Sequence, residues 1–391
     1  MRYLLLRLKR FCGFITGFVF FISGMFKLMD PVGAGLVMDG YYDFLHLGFL
    51  SFSAKPVGAL FAMAEAVIGA GLVTGVWRKP MAAAAIILQS FFTLLTLLLV
   101  IFNPEMDCGC FGEVIHLTHM QTFIKNIVLM ALLLIYYIPR KHLGETTKKK
   151  YISFALVTVS VTAFAVYSWT YIPLTDHTAY RPGIELTTGA EANADEMFES
   201  VFIYEKDGVQ ETFTLGHLPD SSWKFVSTQT RMIEGKEERL AGLSFYDMTD
   251  GEYMDSLAVE GKVMIVSVYD TDMSERFWRR TENFIRRSDT AGFRTLLLCA
   301  SADDIPESTK DHAFISDYKT LISLNRSNGG VTYFHDGELI RKWAHANAPD
   351  SKELAETYAD DGTEISIAHE SKGSLAFQGF LLYVFAVMLL L

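Results

Sequence analysis

Two of the four cysteines in this 391-residue chain stand one residue apart, in the segment NPEMDCGCFGEV at residues 103–114. Such a Cys-Gly-Cys is open to three readings. As a dithiol/disulfide pair it passes electrons, because a ring closed over so few atoms is constrained, and constrained, accessible disulfides exchange readily. Gly109 removes the side chain that would crowd that ring and admits unusual dihedrals. A bridge this short removes little chain entropy, so bracing the fold is a weak role for it. The second reading is metal ligation: Cys108, Cys110, His116 and His119 read C-x-C-x5-H-x2-H. Two thiolates and two imidazoles suit Zn or a soft copper ion, although the spacing is not that of a standard zinc element. The third is a structural or vestigial feature. Asp107 and Glu113 add negative charge on either side, which works against a low thiol pKa unless the helix beginning near Thr118 turns its N-terminus toward the pair.

The elements that must position this loop are membrane helices. Half of the chain is hydrophobic, with 30 Phe, and the apolar residues gather in near-continuous runs at 11–29, 57–77, 81–102, 121–138 and 151–172, with a last run closing the chain. Each approaches the roughly 20 residues that cross a bilayer as a helix. The N-terminal run reads as a retained helix rather than a cleaved leader, since no small-residue cleavage pattern follows FISGMF. Arg2, Arg7, Lys9 and Arg10 precede the first run, Arg78 and Lys79 separate the second and third, and Arg140, Lys141, Lys148, Lys149 and Lys150 separate the fourth and fifth. These clusters mark cytoplasmic loops. One topology satisfies all of them: six spans, the N-terminus inside, and both the Cys loop and the acidic stretch 173–373 outside. The net charge of −11 lies mostly in that stretch and argues against nucleic-acid binding. Only Cys108 and Cys110 then face an oxidising compartment together. Cys12 falls at the cytoplasmic end of the first span, and Cys299 ends the apolar run FRTLLLCAS, a buried strand by pattern.

The second span is rich in small residues, Gly58, Ala62, Ala66, Gly69, Ala70 and Gly75, which let helices approach closely. Within it Glu65 is too costly to leave unpaired. Lys27, about a turn inside the outer end of the first helix, is long enough to reach it. The pair is either structural or a proton-handling or ligand-binding group near the Cys loop, and Gln89 in the third span carries the same ambiguity.

The segment FISGMFKLMDPVGAGLVMDGYY (21–42), the Glu in a small-residue helix, and DCGCFGEVIHLTHMQTFIKNIVLM (107–130) together resemble the MauE branch of the DoxX-like membrane proteins over roughly residues 10–140. The resemblance implies a four-helix bundle similar to that of vitamin K epoxide reductase, a bacterial inner-membrane location, and a thiol redox role for Cys108 and Cys110. A quinone in the bundle is its candidate cofactor and a periplasmic client or redox partner its candidate partner, beside the lipid bilayer.

The outer stretch has its own pattern. KVMIVSV and FRTLLLCAS read as strands, SERFWRRTENFIRRS as a helix between them, and VTYFHDGELIRKW as a hairpin turned at Asp336 and Gly337. Strands interleaved with helices and closed by a hairpin resemble the thioredoxin fold in its peroxiredoxin-like and TlpA-like membrane-tethered forms. The redox elements of that fold are missing: YDTDMSERFW stands where C-x-x-C is expected, and RSNGG where a cis-proline is expected. The resemblance implies a degenerate domain that docks or positions a client. Before it, FESVFIYEKDGVQETFTL reads as a hairpin.

The resulting expectation is an α-helical membrane bundle with an inserted α/β thioredoxin-like domain. Residues 1–140 form the four-helix part, 141–172 a cytoplasmic loop and fifth span, 173–242 a β-rich extension, 243–373 the thioredoxin-like domain and 374–391 the sixth span. Three functions stay open: thiol-disulfide exchange at Cys108 and Cys110, a non-catalytic scaffold or assembly subunit, and metal handling through Cys108, Cys110, His116 and His119.

Overall fold

The structure, a computed structural model, describes residues 2–104, 106, 108–115, 117–138, 146, 148–187, 198–206, 209–214, 223–232, 239–248, 251–360 and 362–390. Among them six helical stretches are long and apolar enough to cross a membrane: Leu6–Met29, Gly48–Thr74, Arg78–Phe102, His119–Tyr137, Lys148–Thr170 and Lys372–Leu390. They belong to helices α1 (Arg2–Met29), α3 (Ala54–Thr74), α4 (Arg78–Phe102), α5 (His119–Tyr137), α6 (Lys148–Thr170) and α11 (Gly362–Leu390), the second stretch including the short 3-10 turn at Gly48–Ser53 that leads into α3. The chain is a multi-pass helical membrane protein.

The small residues do the work expected of them. A Cβ added to Gly24 would lie 2.6 Å from the Ala62 carbonyl oxygen, and one on Gly69 would lie 2.5 Å from the Phe21 nitrogen, so α1 and α3 touch backbone to backbone. Lipid supplies no hydrophobic drive between helices, and contact this close is what holds them. Phe21, Met25 and Ala66 continue the contact to Phe154 and Val157 of α6 and Phe377 of α11. A second cluster joins α1 and α3 to α4 and α5 through Leu72, Ala85, Leu133 and Tyr136, and Cys12 sits in it, 4% exposed, as packing.

The sequence reading assigned no element to the segment after the first span, which forms α2 (Pro31–Phe44). Asp30 caps it, accepting the Gly33 N–H at 2.8 Å, and Pro31 occupies the first turn, where its missing N–H costs nothing. Residues Pro31 to Gly35 are buried, so α2 packs against the bundle rather than crossing beside it.

Beyond α6 the chain forms a mixed eight-stranded sheet of order β6-β2-β12-β11-β8-β9-β10-β7. Its strands are β2 (Glu185–Thr187), β6 (Arg239–Ala241), β7 (Tyr246–Asp247), β8 (Lys262–Val268), β9 (Arg294–Cys299), β10 (Ala313–Ile315), β11 (Gly330–His335) and β12 (Glu338–Trp343). β8 and β9 are parallel and joined through α8 (Glu275–Thr290), whereas β11 runs antiparallel to both β8 and β12. The β11–β12 turn falls at Asp336 and Gly337, both with positive φ (49° and 84°), as the Asp-Gly pair predicts. Alternate residues of the central strands feed two cores, Met264 and Val266 packing with Trp278 and Trp343 on one face, Val263 and Ile265 with Phe334 and Leu339 on the other. Cys299 is fully buried between strands, and burial pushes its thiol up to about 12, so it stays protonated. A separate antiparallel sheet of order β4-β3-β5 comprises β3 (Phe198–Lys206), β4 (Val209–Thr214) and β5 (Lys224–Met232); the anticipated hairpin is its β3–β4 pair, with turn residues 207–208 outside the described set. Two short helices, α9 (Tyr318–Leu324) and α10 (Ser351–Ala359), cover the larger sheet; a one-turn helix, α7 (Ser256–Val259), precedes β8.

His345 makes this region acid-sensitive. Its ring centroid lies 4.4 Å from that of Phe277, and burial, then the positive charge of Arg280, hold its pKa down to about 4. A histidine disfavouring its proton in the folded state contributes stability that is whole above the unfolded value near 6.5 and is lost as pH falls toward the folded value. We expect the melting temperature of the mixed-sheet region to drop by a few degrees more between pH 6.5 and pH 4 in the parent protein than in His345→Phe, which cannot protonate. Parallel profiles in thermal denaturation would contradict this.

Candidate functional site

The Cys loop is pinned at both ends. Asn103 closes α4 in a left-handed conformation, its N–H bonding the Leu99 carbonyl at 2.8 Å. Thr118 opens α5 with a reciprocal capping box: the Gln121 N–H reaches the Thr118 hydroxyl at 3.2 Å and the Thr118 N–H reaches the Gln121 side chain at 3.0 Å. His119 turns back to the loop, with one ring nitrogen 2.9 Å from the Met106 carbonyl and the other 3.3 Å from Asn103 Oδ1. A neutral ring has one N–H, and donating it from Nε2 to the Met106 carbonyl, the shorter contact, braces the loop.

Between these anchors Cys108–Glu113 folds over α1 and α2, its second half a short extended segment, β1 (Cys110–Glu113). The Tyr41 hydroxyl donates to the Cys108 carbonyl at 2.5 Å, and the Ser23 hydroxyl donates to the Cys110 carbonyl at 2.7 Å. Gly109 between them has φ +58°, and a Cβ there would fall 2.2 Å from Val37 Cγ1, so neither backbone nor neighbour tolerates a side chain. Cys108 is 4% exposed and Cys110 is half-buried. Neither is in a disulfide.

Under the loop lies a cavity of about 260 Å³ whose wall includes both cysteines, Tyr41, Lys27, Glu65 and Gln89. Its remaining surface is largely apolar, with Phe20, Phe61, Phe91, Phe92 and Leu95 contributing. Glu65 is 4% exposed; Lys27 Nζ stands 2.7 Å from its Oε2, and the Ser23 hydroxyl lies 3.1 Å from the same oxygen. Ser23 has one hydrogen, so its shorter bond to Cys110 links the loop directly to the site of the ion pair. Gln89 donates to the Asn126 carbonyl at 3.0 Å, and Asn126 donates to Thr96 at 3.1 Å, which satisfies these polar groups inside the bundle.

Glu113 meets a residue that the sequence does not single out. Arg326, in the turn before β11, places Nη2 3.2 Å from Glu113 and Nε 2.9 Å from Asp30, and is only 8% exposed. The mixed-sheet region is thus tied by one guanidinium to the loop that holds the cysteines and to the residue that caps α2. A second tie joins Lys342 to Asp176 at 2.6 Å. Burial by itself raises the Asp176 pKa, but the Lys342 ammonium and hydrogen bonds from Thr178 outweigh it and leave the carboxyl below its ordinary value.

The structure therefore brings Cys108, Cys110, Glu65 and Lys27 around one cavity and turns Glu113 outward to Arg326. Asp107 and His116 lie outside the described residues. Among the described residues no group of three or more His, Cys, Asp and Glu is arranged to hold a metal ion. Sequence reasoning missed Tyr41, Ser23, Asp30 and Arg326; of these only Asp30, followed by Pro31, carried a local signal, that of a helix start.

A multi-pass bundle with a Cys-Gly-Cys at the mouth of an internal cavity is the class that this geometry defines. Residues 3–139 match the family model of the methylamine utilisation protein MauE, a segment that contains every residue lining the cavity. Residues 198–235 match a domain of unknown function (DUF8463), the stretch of the three-stranded sheet. No curated protein and no solved structure matches the chain.

Proposed function

We propose that this chain is a thiol-disulfide redox protein of a bacterial inner membrane, with its N-terminus in the cytoplasm and the Cys loop and mixed-sheet region in the periplasm. The basic clusters in the first turns of α1, at the start of α4, and around the start of α6 support that orientation. The MauE match suggests a setting in methylamine utilisation. The observation that carries the redox reading is the position of Cys108 and Cys110 together, over a cavity sunk into the bundle.

In the oxidising direction a client thiolate attacks Cys110, the more accessible sulfur, and Cys108 leaves as the thiolate. A second client thiol then attacks the mixed disulfide and releases Cys110, so that the client gains its disulfide and the pair gains two electrons and two protons. The cavity suits a quinone ring: its wall is apolar and aromatic, with Lys27, Glu65, Gln89 and Tyr41 as the polar contacts. A quinone bound there supplies the acceptor for the two electrons and two protons released when the dithiol reoxidises. The Lys27–Glu65 ion pair, at 2.7 Å, stands in the wall of the same cavity as the two cysteines, and Cys108 is only 4% exposed.

The mixed-sheet region is thioredoxin-like in this reading, supported by the parallel β8-α8-β9 crossover and the β11–β12 hairpin. It has no exchangeable cysteine of its own among the described residues, since Cys299 is buried. Its part is to dock on the Cys loop through Arg326 and hold a client nearby, raising the local concentration of the client. Cys108→Ser leaves the accessible thiol without its resolving partner and should trap a client as a reducible adduct on a non-reducing gel. Cys110→Ser, whose remaining thiol is buried, should trap less, and adding Arg326→Glu to Cys108→Ser should lower the yield while a small disulfide reagent still reacts. If neither single variant traps anything and both thiols stay reduced in the native membrane, the redox reading falls and the bundle is a scaffold.

A further inference from the structure

The end of the bundle away from the Cys loop holds a second cavity, of about 250 Å³, between the starts of α1, α4 and α6 and the ends of α3 and α5. Lys9, Arg10, Arg78 and Lys150 line it, and no acidic residue does so among the described residues. Four cations converging on one hollow is more than helix capping requires. Lys9 donates to the Ile138 carbonyl at the end of α5, and Lys150 to the Thr74 carbonyl at the end of α3, at 2.7 Å. Those contacts use one donor of each ammonium and leave two apiece, while Arg10 is exposed at the rim. The rest of the wall is apolar, with Leu6, Phe14, Leu72 and Val73 running into the membrane part of the helices.

Trp77 and Tyr151, 51% and 39% exposed with ring centroids 5.9 Å apart, stand at the same end. Amphipathic rings of this kind mark the headgroup level of a bilayer. A hollow at that depth, cationic at its mouth and apolar below, is complementary to a phosphate that carries acyl chains. Basic pockets between spans at a cytoplasmic face have this chemistry.

We propose that this cavity binds the phosphate of an anionic phospholipid, with Arg10, Lys9, Lys150 and Arg78 around the headgroup and the acyl chains against Leu6, Phe14, Leu72 and Val73. The site is separate from the thiol loop and does not depend on its chemistry. It would bind α1, α3, α4 and α6 together at the end where the loops between them are basic.

The test uses the full chain in detergent, titrated with phosphatidylglycerol or phosphatidylcholine and read by native mass spectrometry. The expected result is retention of phosphatidylglycerol about fivefold or more over phosphatidylcholine, a preference abolished in Arg10→Gln/Lys150→Gln. Lys148→Gln/Lys149→Gln removes the same charge from exposed positions at the start of α6 and should keep the preference. Equal loss in both double variants would overturn the cavity in favour of general surface attraction, as would the absence of any preference in the parent. Should the first double variant fail to fold, Arg10→Gln alone, an exposed substitution, carries the comparison and should lower the preference. Inorganic phosphate at millimolar concentration separates the two sources of the anion: stabilisation against heat equal to that given by the lipid would assign the site to free phosphate and overturn the lipid proposal.

Discussion

Glu65→Gln is expected to destabilise the bundle by about 3 kcal/mol, and Glu65→Lys to leave no folded bundle, because among the described residues Lys27 pairs with no other carboxylate. The Lys27 and Glu65 side chains are 14% and 5% exposed and meet at 2.7 Å. Removing one partner of a buried ion pair strands the other charge, which costs far more than the pair contributes net. Lysine at position 65 adds a second buried cation beside the first. The same argument requires that Lys27→Gln/Glu65→Gln, which removes both charges, cost clearly less than the sum of the two single changes. Midpoints of unfolding in a fixed detergent measure all four corners of this cycle. Tolerance of Glu65→Lys as good as that of Glu65→Gln would mean that the carboxylate faces open water.

Gly109→Ala is expected to unseat the Cys loop. A side chain at φ +58° costs about 1 kcal/mol or more in backbone conformation. The added Cβ would in addition sit 2.2 Å from Val37 Cγ1, on a branched side chain with little freedom to turn away. A seated loop keeps Cys108 only 4% exposed, so displacement is read directly by alkylation of that thiol, expected to accelerate about tenfold or more. Val37→Ala removes the contacts at 2.2 and 2.8 Å, leaving its Cβ at 3.0 Å, and does not touch the dihedral cost. Gly109→Ala/Val37→Ala should recover part of the protection and not all of it. An unchanged alkylation rate in Gly109→Ala would show that the loop does not depend on this contact.

Much of the architecture is legible residue by residue. A membrane span is a local property, since about 20 apolar residues satisfy the bilayer and their own backbone together, and the six runs of sequence are found as six helices. The β11–β12 turn is equally local, because Asp336 and Gly337 suit its positive φ values whatever surrounds them. The Lys27–Glu65 contact was foreseeable by elimination, a lone carboxylate at that depth being too costly and Lys27 being within reach.

The thiol site was legible only in its chemistry. Two cysteines flanking a glycine announce themselves by type and spacing, but nothing in NPEMDCGCFGEV says that Ser23 and Tyr41 hold its carbonyls or that Val37 walls off Gly109. Those contacts depend on α2 folding back against the bundle, for which Asp30-Pro31 gives only a starting point. The tie from Arg326 to Asp30 spans 296 positions and has no periodicity, motif or composition to reveal it. Sequence by itself determined which segments enter the membrane and which residues carry reactive side chains, because hydrophobicity and nucleophilicity belong to single residues and short runs. Which of those residues share a cavity, and which charge of the mixed-sheet region rests on the Cys loop, was decided by tertiary packing, because a buried charge is stable only where the rest of the fold brings its partner to hydrogen-bonding distance.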